Sequence, residues 1–300
     1  MKKKILIVGG SGFIGHNLIK SIYKLNYKIT SLSSKFVPKK KKFQNVDYII
    51  CDIFNLKNLE RKLIDNFDYV INLSGNIDHK EKYKTIRTHY IGCKNLVNIF
   101  KKKNIKLFIQ VGSSLEYGSS QCPHIESDVC FAKSVYGKAK LDASNYLKKV
   151  NKKFNFPYII LRLYQVYGPY QKFDRLIPAA IQSFIRNEKF QSSHGSQLRD
   201  FIYIKDLVVL FHKILNKKKV GVGIYNVGTG NPISVKYAIE TINREIGLGK
   251  ILFGDLKMRR NEMMRSYPSI KKVKKFFNWR PKTSFLKGIK KTIKYYNEIC

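Results

Sequence analysis

The sequence predicts an α/β protein in which a doubly wound parallel sheet is followed by a smaller C-terminal α/β domain. Short apolar runs alternate with helix-length segments in the first half of the 300 residues, which is the pattern of a parallel sheet covered by helices on both faces. A glycine-rich turn directly follows the first apolar run. The alternation ends at Gly168-Pro169. We therefore predict two domains, at 1–167 and 168–300, with some exchange of chain between them.

Six apolar segments are predicted as the strands of the sheet, because their nearly continuous hydrophobicity suits burial on both faces. These segments are residues 4–8, 28–32, 46–52, 69–75, 106–114 and 158–168. Helices are predicted at residues 16–25, 55–65, 81–103 and 134–150 between these strands, and near 176–187, 234–246 and the end of the basic tail 270–300.

Composition narrows the class of protein. The net charge of +38 suits an anionic substrate, but the lysines are scattered and no nucleic-acid-binding motif is present, so we expect no specific nucleic-acid partner. Five cysteines without a C-x-x-C spacing indicate reduced thiols, and the histidines also lack metal-ligand spacing, so no metal is expected. With no apolar run of membrane-spanning length and no long hydrophobic signal region, we expect a cytoplasmic protein without a membrane span.

The glycine-rich turn, GGSGFIG, carries Gly9, Gly12 and Gly15 in G-x-x-G-x-x-G spacing. The first glycine allows a tight turn, the second allows the backbone to approach a pyrophosphate, and the third allows close packing of helix on strand. Phosphates are stabilised there by the free N–H groups of a helix N-terminus. This context predicts a Rossmann-type dinucleotide site, in which Phe13 and Ile14 of the same turn are also assigned to the cofactor.

The end of the second strand predicts which cofactor is preferred. An acidic residue at this place holds the ribose of NAD, but this strand ends in Ser33, Ser34 and Lys35. Hydroxyls and an ammonium group attract a 2′-phosphate that a carboxylate would repel. We therefore predict a preference for NADP(H), with NAD(H) still possible. Asp52 and Ile53, after the third strand, are predicted to contact the adenine, although Asp52 could equally cap a helix.

Further motifs resemble one family, the extended short-chain dehydrogenase/reductases, in their nucleotide-sugar epimerase, dehydratase and reductase branch. Beside the glycine motif, the resemblance rests on VGSSLEYG at 111–118 and on the Y-x-x-x-K of Tyr136 and Lys140. It extends over nearly the whole chain through LRLYQVYGP (161–169), RLIP (175–178), GSQLRDFIYIKDL (195–207), YNVGTG (225–230) and FNWRP (277–281).

The resemblance implies catalytic roles for three residues. Tyr136 would protonate a carbonyl oxygen, and Lys140 would favour its phenolate and hold the nicotinamide ribose. A free tyrosine has a pKa of about 10, which is too high for efficient proton transfer near neutrality, and a neighbouring cation lowers it. Ser113 would donate a hydrogen bond to the substrate oxygen.

The resemblance also implies binding residues. Leu73, Ser74 and Gly75 stand where the family has a cofactor-binding L-A-G. The residues assigned to the nucleotide-sugar substrate are Ser114, Gln165, Arg175, Arg199 and Arg259. Guanidinium groups suit a diphosphate because their planar donors bind phosphate in pairs. His89 stands where the family often has Asn and is interpreted as structural. A homodimer through helices 81–103 and 134–150 is also expected.

The residues after Ser113 narrow the activity within the family. Dehydratases have two acidic residues at the positions of Ser114 and Leu115, while Glu116 comes one position later and would face the other side of a strand. Fucose-synthase-type epimerases have a cysteine at the position that Leu115 occupies here, and leucine cannot transfer a proton. What remains is carbonyl reduction or 4-epimerisation, and the Ser-Ser-Lys strand end favours an NADPH-consuming reductase.

The chain thus resembles reductases of nucleotide-activated 4-keto-6-deoxyhexoses, of the type that make CDP-abequose or activated D-fucose. Such enzymes belong to deoxysugar biosynthesis for O-antigen or capsule. Two alternatives stay open at this point: an NAD-dependent nucleotide-sugar 4-epimerase, and a non-catalytic relative that senses NADP or binds RNA.

Overall fold

The structure is a computed structural model that describes residues 2–75, 81–258 and 262–299. The strands are β1 (Lys3–Val8), β2 (Tyr27–Ser33), β3 (Val46–Ile50), β4 (Tyr69–Asn72), β5 (Leu107–Ser113), β6 (Tyr158–Leu163), β7 (Gln165–Tyr167), β8 (Lys189–Ser192), β9 (Leu198–Arg199), β10 (Phe201–Tyr203), β11 (Gly223–Val227), β12 (Ile233–Ser234), β13 (Lys250–Phe253) and β14 (Arg265–Ser266). The helices are α1 (Phe13–Ile22), α2 (Leu56–Lys62), α3 (Lys82–Ile86), α4 (Gly92–Phe100), α5 (Val135–Phe154), α6 (Leu176–Ile185), α7 (Ile204–Asn216), α8 (Val235–Ile246), α9 (Lys271–Phe277) and α10 (Phe285–Asn297).

Within the part of the chain that the structure describes, the main sheet has seven strands in the order β11-β6-β5-β4-β1-β2-β3. Neighbouring strands among β1 to β6 pair in parallel, so their carboxyl ends lie along one edge of the sheet. The order reverses beside β1, and ligands of such sheets bind at the carboxyl edge near this reversal. The predicted doubly wound parallel sheet is confirmed.

The chain divides into two compact units. The first contains Met1–Ser120, Glu126–Leu163 and Phe211–Tyr225, and the second contains Gln121–Ile125, Tyr164–Leu210 and Asn226–Cys300. The described residues of the second unit form three small sheets, with the orders β10-β7, β12-β9-β14 and β13-β8. The assignment of 1–167 to cofactor and 168–300 to substrate stays a prediction.

The core of the first unit is apolar because the strands are buried on both faces. All four residues of β4 and all six of β6 are buried, as continuous hydrophobic runs predict for central parallel strands. Leu6, Val70 and Phe108 from three neighbouring strands belong to one cluster of buried side chains.

Two of the predicted elements are interrupted in the structure. The predicted helix 81–103 is α3 followed by a π-helical segment at Arg87–Ile91 and then α4, and π-helical turns are common at functional sites. The predicted strand 158–168 is interrupted at Tyr164, whose N–H donates to the Val227 carbonyl oxygen at 3.2 Å. Strand β7 then pairs with β10.

Candidate functional site

The glycine-rich turn lies between β1 and α1 and has the geometry that its glycines predict. Gly9 has a φ of +81°, which strains residues other than glycine. A Cβ on Gly15 would lie 2.4 Å from the Gly9 carbonyl oxygen, so only glycine allows this approach of helix to strand. Helix α1 begins after Gly12 without a side-chain cap, and its first turn contains Phe13 and Ile14. The N–H groups of this turn can therefore receive phosphate oxygens.

The loops after β2 and β4 lie beside this turn. The Ser33 hydroxyl accepts a hydrogen bond from the Ser11 N–H at 3.4 Å, while Ser34 and Lys35 are exposed. A Cβ on Gly9 would lie 3.0 Å from the backbone carbon of Leu73. These contacts bring the ends of three strands to one place, as a dinucleotide site requires.

Ser74, Gly75, Asp52 and Ile53 follow the same sheet edge. The Ser74 hydroxyl donates to Asn72 Oδ1 at 2.5 Å, and Gly75 is exposed. Asp52 is half-buried. Ile53 is only 5% exposed and packs on Gly92, where a Cβ would lie 2.2 Å from Ile53 Cδ1. The adenine contacts of Asp52 and Ile53 therefore stay predictions.

Ser113 ends β5 and begins a single 3₁₀ turn, Ser114–Glu116, through a capping box. Its hydroxyl accepts a hydrogen bond from the Leu115 N–H at 3.2 Å, and Glu116 Oε1 accepts one from the Ser113 N–H at 2.9 Å. Because the Ser113 oxygen acts as an acceptor here, its own proton can be donated to a substrate oxygen. The Ser114 side chain is buried at 4% exposure, and its assignment to the substrate stays a prediction.

Tyr136 and Lys140 lie one turn apart near the start of α5, which Ser134 caps by accepting from the Gly137 N–H. Lys140 is buried and donates to the Val111 carbonyl oxygen at 2.7 Å. Its Nζ is 5.9 Å from the centroid of the Tyr136 ring. Burial lowers the pKa of Lys140 from 10.5 to about 8, although Glu116 and Cys93 oppose this shift. The pKa of Lys140 therefore lies close to the pH range in which proton transfer is efficient.

His89 lies next to the Tyr136 ring, which sequence reasoning did not anticipate. The ring centroids are 4.7 Å apart with an interplanar angle of 87°, an edge-to-face arrangement. His89 belongs to the π-helical segment and is 3% exposed. A Cβ on Gly75 would lie 3.0 Å from its Cε1. The imidazole thus lies between the loop after β4 and Tyr136.

A buried polar group connects β4, β5 and α4 behind these residues. Asn72 Nδ2 donates to Gln110 Oε1 at 2.8 Å, and the Cys93 thiol donates to the same oxygen at 3.2 Å. Gln110 Nε2 donates to the Val111 carbonyl oxygen at 3.0 Å, which also binds Lys140. The signal for this group in the sequence is a polar residue inside each of two apolar strands, because buried polar residues need partners.

The predicted substrate residues of the second unit have different environments. Gln165 is exposed, and its N–H donates to the Asp200 carbonyl oxygen at 2.9 Å, which brings its backbone close to that of Arg199. Arg199 is 8% exposed and pairs with Glu262. Arg175, at the start of α6, lies 3.9 Å from the Asp174 carboxylate. Arg259 lies outside the described residues.

Two further findings concern metal and membrane. Within residues 2–75, 81–258 and 262–299, His, Cys, Asp and Glu side chains form no group of three or more that could hold a metal ion. Each helix in those ranges is too short or too polar to span a bilayer.

Comparison with known proteins identifies the family. The NAD dependent epimerase/dehydratase family matches residues 5–228, so the chain belongs to this family of NAD-dependent nucleotide-sugar enzymes. The dTDP-D-glucose 4,6-dehydratase of Homo sapiens is 28% identical over 99% of this chain and 90% of its own. CDP-abequose synthase of Salmonella muenchen is 26% identical over 98% of each chain.

The fold is shared with solved members. The UDP-glucose 4-epimerase of Thermotoga maritima, solved with UDP-glucose, superposes with a TM-score of 0.91 at 22% identity and covers 98% of this chain and 99% of its own. This likeness shows the fold, while the reaction depends on the site residues.

Proposed function

We propose that this protein uses NADPH to reduce the C4 keto group of a nucleotide-activated 4-keto-6-deoxyhexose. The observation that carries the proposal is the strand-end turn after Ser113. It stands beside a complete Ser113, Tyr136 and Lys140 set, yet it contains no acid that faces a substrate. Similarity to CDP-abequose synthase over 98% of the chain supports the same class of substrate.

Ser113 and Tyr136 would act together on the C4 oxygen. The Ser113 hydroxyl donates a hydrogen bond to it, and the Tyr136 hydroxyl donates the proton that converts the developing alkoxide into an alcohol. Lys140, held by the Val111 carbonyl oxygen at 2.7 Å, stabilises the phenolate that remains. Bound NADPH supplies the hydride.

The turn explains why dehydration is not proposed. Removal of water needs an acid and a base beside the sugar, and the two positions concerned hold Ser114 and Leu115. Glu116 is fully buried and pairs with Arg162 Nε at 3.0 Å. Its carboxylate therefore does not substitute for the missing acids.

The residues of the first unit fit a dinucleotide. The positive φ of Gly9, the close contact at Gly15 and the uncapped start of α1 leave backbone N–H groups for a pyrophosphate. Ser33, Ser34 and Lys35 would hold a 2′-phosphate, and the absence of a carboxylate at this strand end favours NADPH over NADH. Arg175 and Arg199 would hold the substrate diphosphate.

The decisive experiment is a substrate panel with purified protein. CDP-, dTDP- and GDP-linked 4-keto-6-deoxyhexoses are each incubated with NADPH, and cofactor oxidation and the configuration at C4 of the product are measured. We expect one sugar to oxidise NADPH in a one-to-one ratio. If NADPH is not oxidised with any of them, the proposed reduction is wrong.

A 4-epimerase is the second candidate, because it uses the same Ser, Tyr and Lys residues and needs no Asp or Glu in the turn after the serine. Its specific support is the NAD dependence of the family, whose description includes epimerases. Such an enzyme keeps its cofactor through each turnover. Purified protein that carries NAD and interconverts UDP-sugars without net cofactor use would favour this candidate.

Assembly and location are further proposals. We propose a homodimer through the helical segments 81–103 and 134–150, which the mass in solution from light scattering would test. The cytoplasm as its location would be tested by cell fractionation.

A further inference from the structure

Glu116 is the most deeply buried acid near the proposed catalytic residues, and three elements bind its carboxylate. Oε1 accepts from the Ser113 N–H at the end of β5, at 2.9 Å. Oε2 accepts from the Ser144 hydroxyl on α5 at 2.7 Å and from Arg162 Nε on β6 at 3.0 Å. Gly112 on β5 leaves space for this carboxylate, because a Cβ at that position would lie 2.5 Å from Oε1.

The bond to Ser144 links Glu116 to the face of α5 that carries the proposed chemistry. Tyr136, Lys140 and Ser144 are spaced four residues apart, so they lie along one face of the helix. Lys140 binds the Val111 carbonyl oxygen at 2.7 Å, on the same strand as Ser113. The end of β5 is therefore joined to this helix face at two places, once by Lys140 and once through Glu116.

Stability does not explain a charge at this position. Side-chain exposure is 0% for Glu116 and 1% for Arg162, and removing two charges from water costs about as much as their attraction returns. The ion pair alone is therefore no more stable than an apolar pair of similar volume. What the carboxylate provides, and an apolar side chain cannot, is a pair of acceptors that hold a backbone N–H and a helix hydroxyl together.

We propose that Glu116 is a positioning residue, whose carboxylate holds Ser113 in register with the face of α5 that carries Tyr136 and Lys140. The inference rests on the proposed roles of these three residues. Glu116 itself stays in the core and does not touch the substrate.

Two double variants test the proposal in the same background. Glu116→Leu with Arg162→Met removes both charges and both acceptors. Glu116→Gln with Arg162→Met removes the charges but keeps an amide that can accept from the Ser113 N–H and bond to Ser144. Urea unfolding, NADPH affinity from fluorescence titration, and kcat and KM for the active sugar of the panel are measured for each.

We expect the glutamine variant to unfold near the wild-type urea concentration, and the leucine variant at a lower one because the buried Ser113 N–H loses its acceptor. Both variants should bind NADPH with wild-type affinity. The leucine variant should lose about ten- to a hundred-fold in kcat with little change in KM, since small misplacements of catalytic groups have effects of this size. The glutamine variant should keep kcat within about threefold of wild type. Equal kcat in the two variants, whether normal or reduced, would overturn the proposal.

Two measurements keep the test decisive. If the leucine variant does not fold, Ser144→Ala replaces it, because this variant keeps the ion pair and breaks only the link to α5; wild-type kcat would then overturn the proposal. Deuterium exchange of the 111–118 peptide needs no substrate. This exchange should be faster in the leucine variant than in the glutamine variant. Equal exchange would refute the proposal that the Glu116 carboxylate holds Ser113 in place. An inactive wild-type protein with this exchange difference would contradict only the proposed function.

Discussion

Charged side chains are buried in both units of the molecule, but they bind different partners. In the second unit, Asp200 accepts from the Thr229 N–H at 2.7 Å and the Gly230 N–H at 2.6 Å. Asp206 similarly accepts from the backbone of Lys282 and Thr283. Asp200 thus connects RDF with VGTG, and Asp206 connects α7 with the two residues that follow FNWRP, so the function of both acids in the structure is architectural.

In the first unit the buried charges mainly bind side chains, together with the Val111 carbonyl group and the Ser113 N–H. Lys140 is an ammonium with a lowered pKa, and Glu116 and Arg162 form an ion pair. The difference teaches how to separate motif residues that hold a fold from those that support chemistry. A buried acid whose oxygens accept hydrogen bonds from backbone N–H groups stabilises the fold. A buried cation whose pKa is lowered by desolvation costs stability, so its presence indicates a function for the charge.

The largest effect is expected in the first unit. Tyr136→Phe should lower kcat by about 10²- to 10⁴-fold, the usual contribution of a general acid, while NADPH affinity remains. Steady-state kinetics and fluorescence titration measure the two. Tyr146→Phe is the matched control, because Tyr146 lies on the same helix and its hydroxyl binds Asn98 at 2.7 Å. Unchanged kcat in the Tyr136 variant would refute the mechanism.

The next effect tests the architectural acids. Asp200→Ala leaves two backbone N–H groups without their acceptor, so the free energy of unfolding should fall by about 2 to 4 kcal/mol. Urea denaturation measures it. Asp255→Ala, at an exposed site that binds Gln191 at 3.2 Å, should change it by less than about 0.5 kcal/mol. A similar small change at both sites would remove the contrast drawn between the units.

Lys140→Met should raise the free energy of unfolding, which Asp200→Ala lowers, and should also lower the activity. The Lys140 pKa is about 8 when folded, against 10.5 as the ordinary value. Below pH 8 the folded protein bears the full cost of the buried charge, about 3 kcal/mol at most. Between about pH 8 and 10.5 the unfolded chain binds more protons, so wild-type stability rises with pH. The Val111 carbonyl keeps its bond from Gln110 in the variant.

The Met variant should therefore be more stable than wild type at pH 7, by about 1 to 3 kcal/mol, and this gap should close as the pH approaches 10.5. Urea denaturation across this range measures it. Lys138→Met, an exposed change on the same helix, is the control and should show no pH-dependent gap. A variant that is less stable than wild type at pH 7 would contradict the cost assigned to Lys140.

The smallest effect concerns cofactor choice. Lys35→Asp places a carboxylate at the end of β2, so the ratio of kcat/KM for NADPH to that for NADH should fall by about tenfold, or 1.4 kcal/mol. Lys28→Asp makes the same charge change at the exposed start of the strand and should leave the ratio unchanged. Equal ratios in both variants would show that Lys35 belongs only to the basic surface.

Local pattern was sufficient for much of the fold. The parallel sheet, the glycine turn and the i, i+4 pair on α5 follow from hydrophobic runs and fixed spacing, because each depends on neighbours in the sequence. The sequence pattern did not predict features that depend on residues far apart in the chain. The break at Tyr164 and the π-helical segment around His89 depend on contacts with other elements.

The sequence by itself determined the family, the glycine-rich turn and the spacing of Ser113, Tyr136 and Lys140, since these are defined by residue type and position. Only the tertiary structure decided how Glu116 is used. As a sequence feature it is an acid one position after the places where dehydratases of the family have their acidic pair. In the fold it is turned into the core between Ser144 and Arg162. The physical reason is that a buried carboxylate needs partners from several elements, and only the folded chain brings them together.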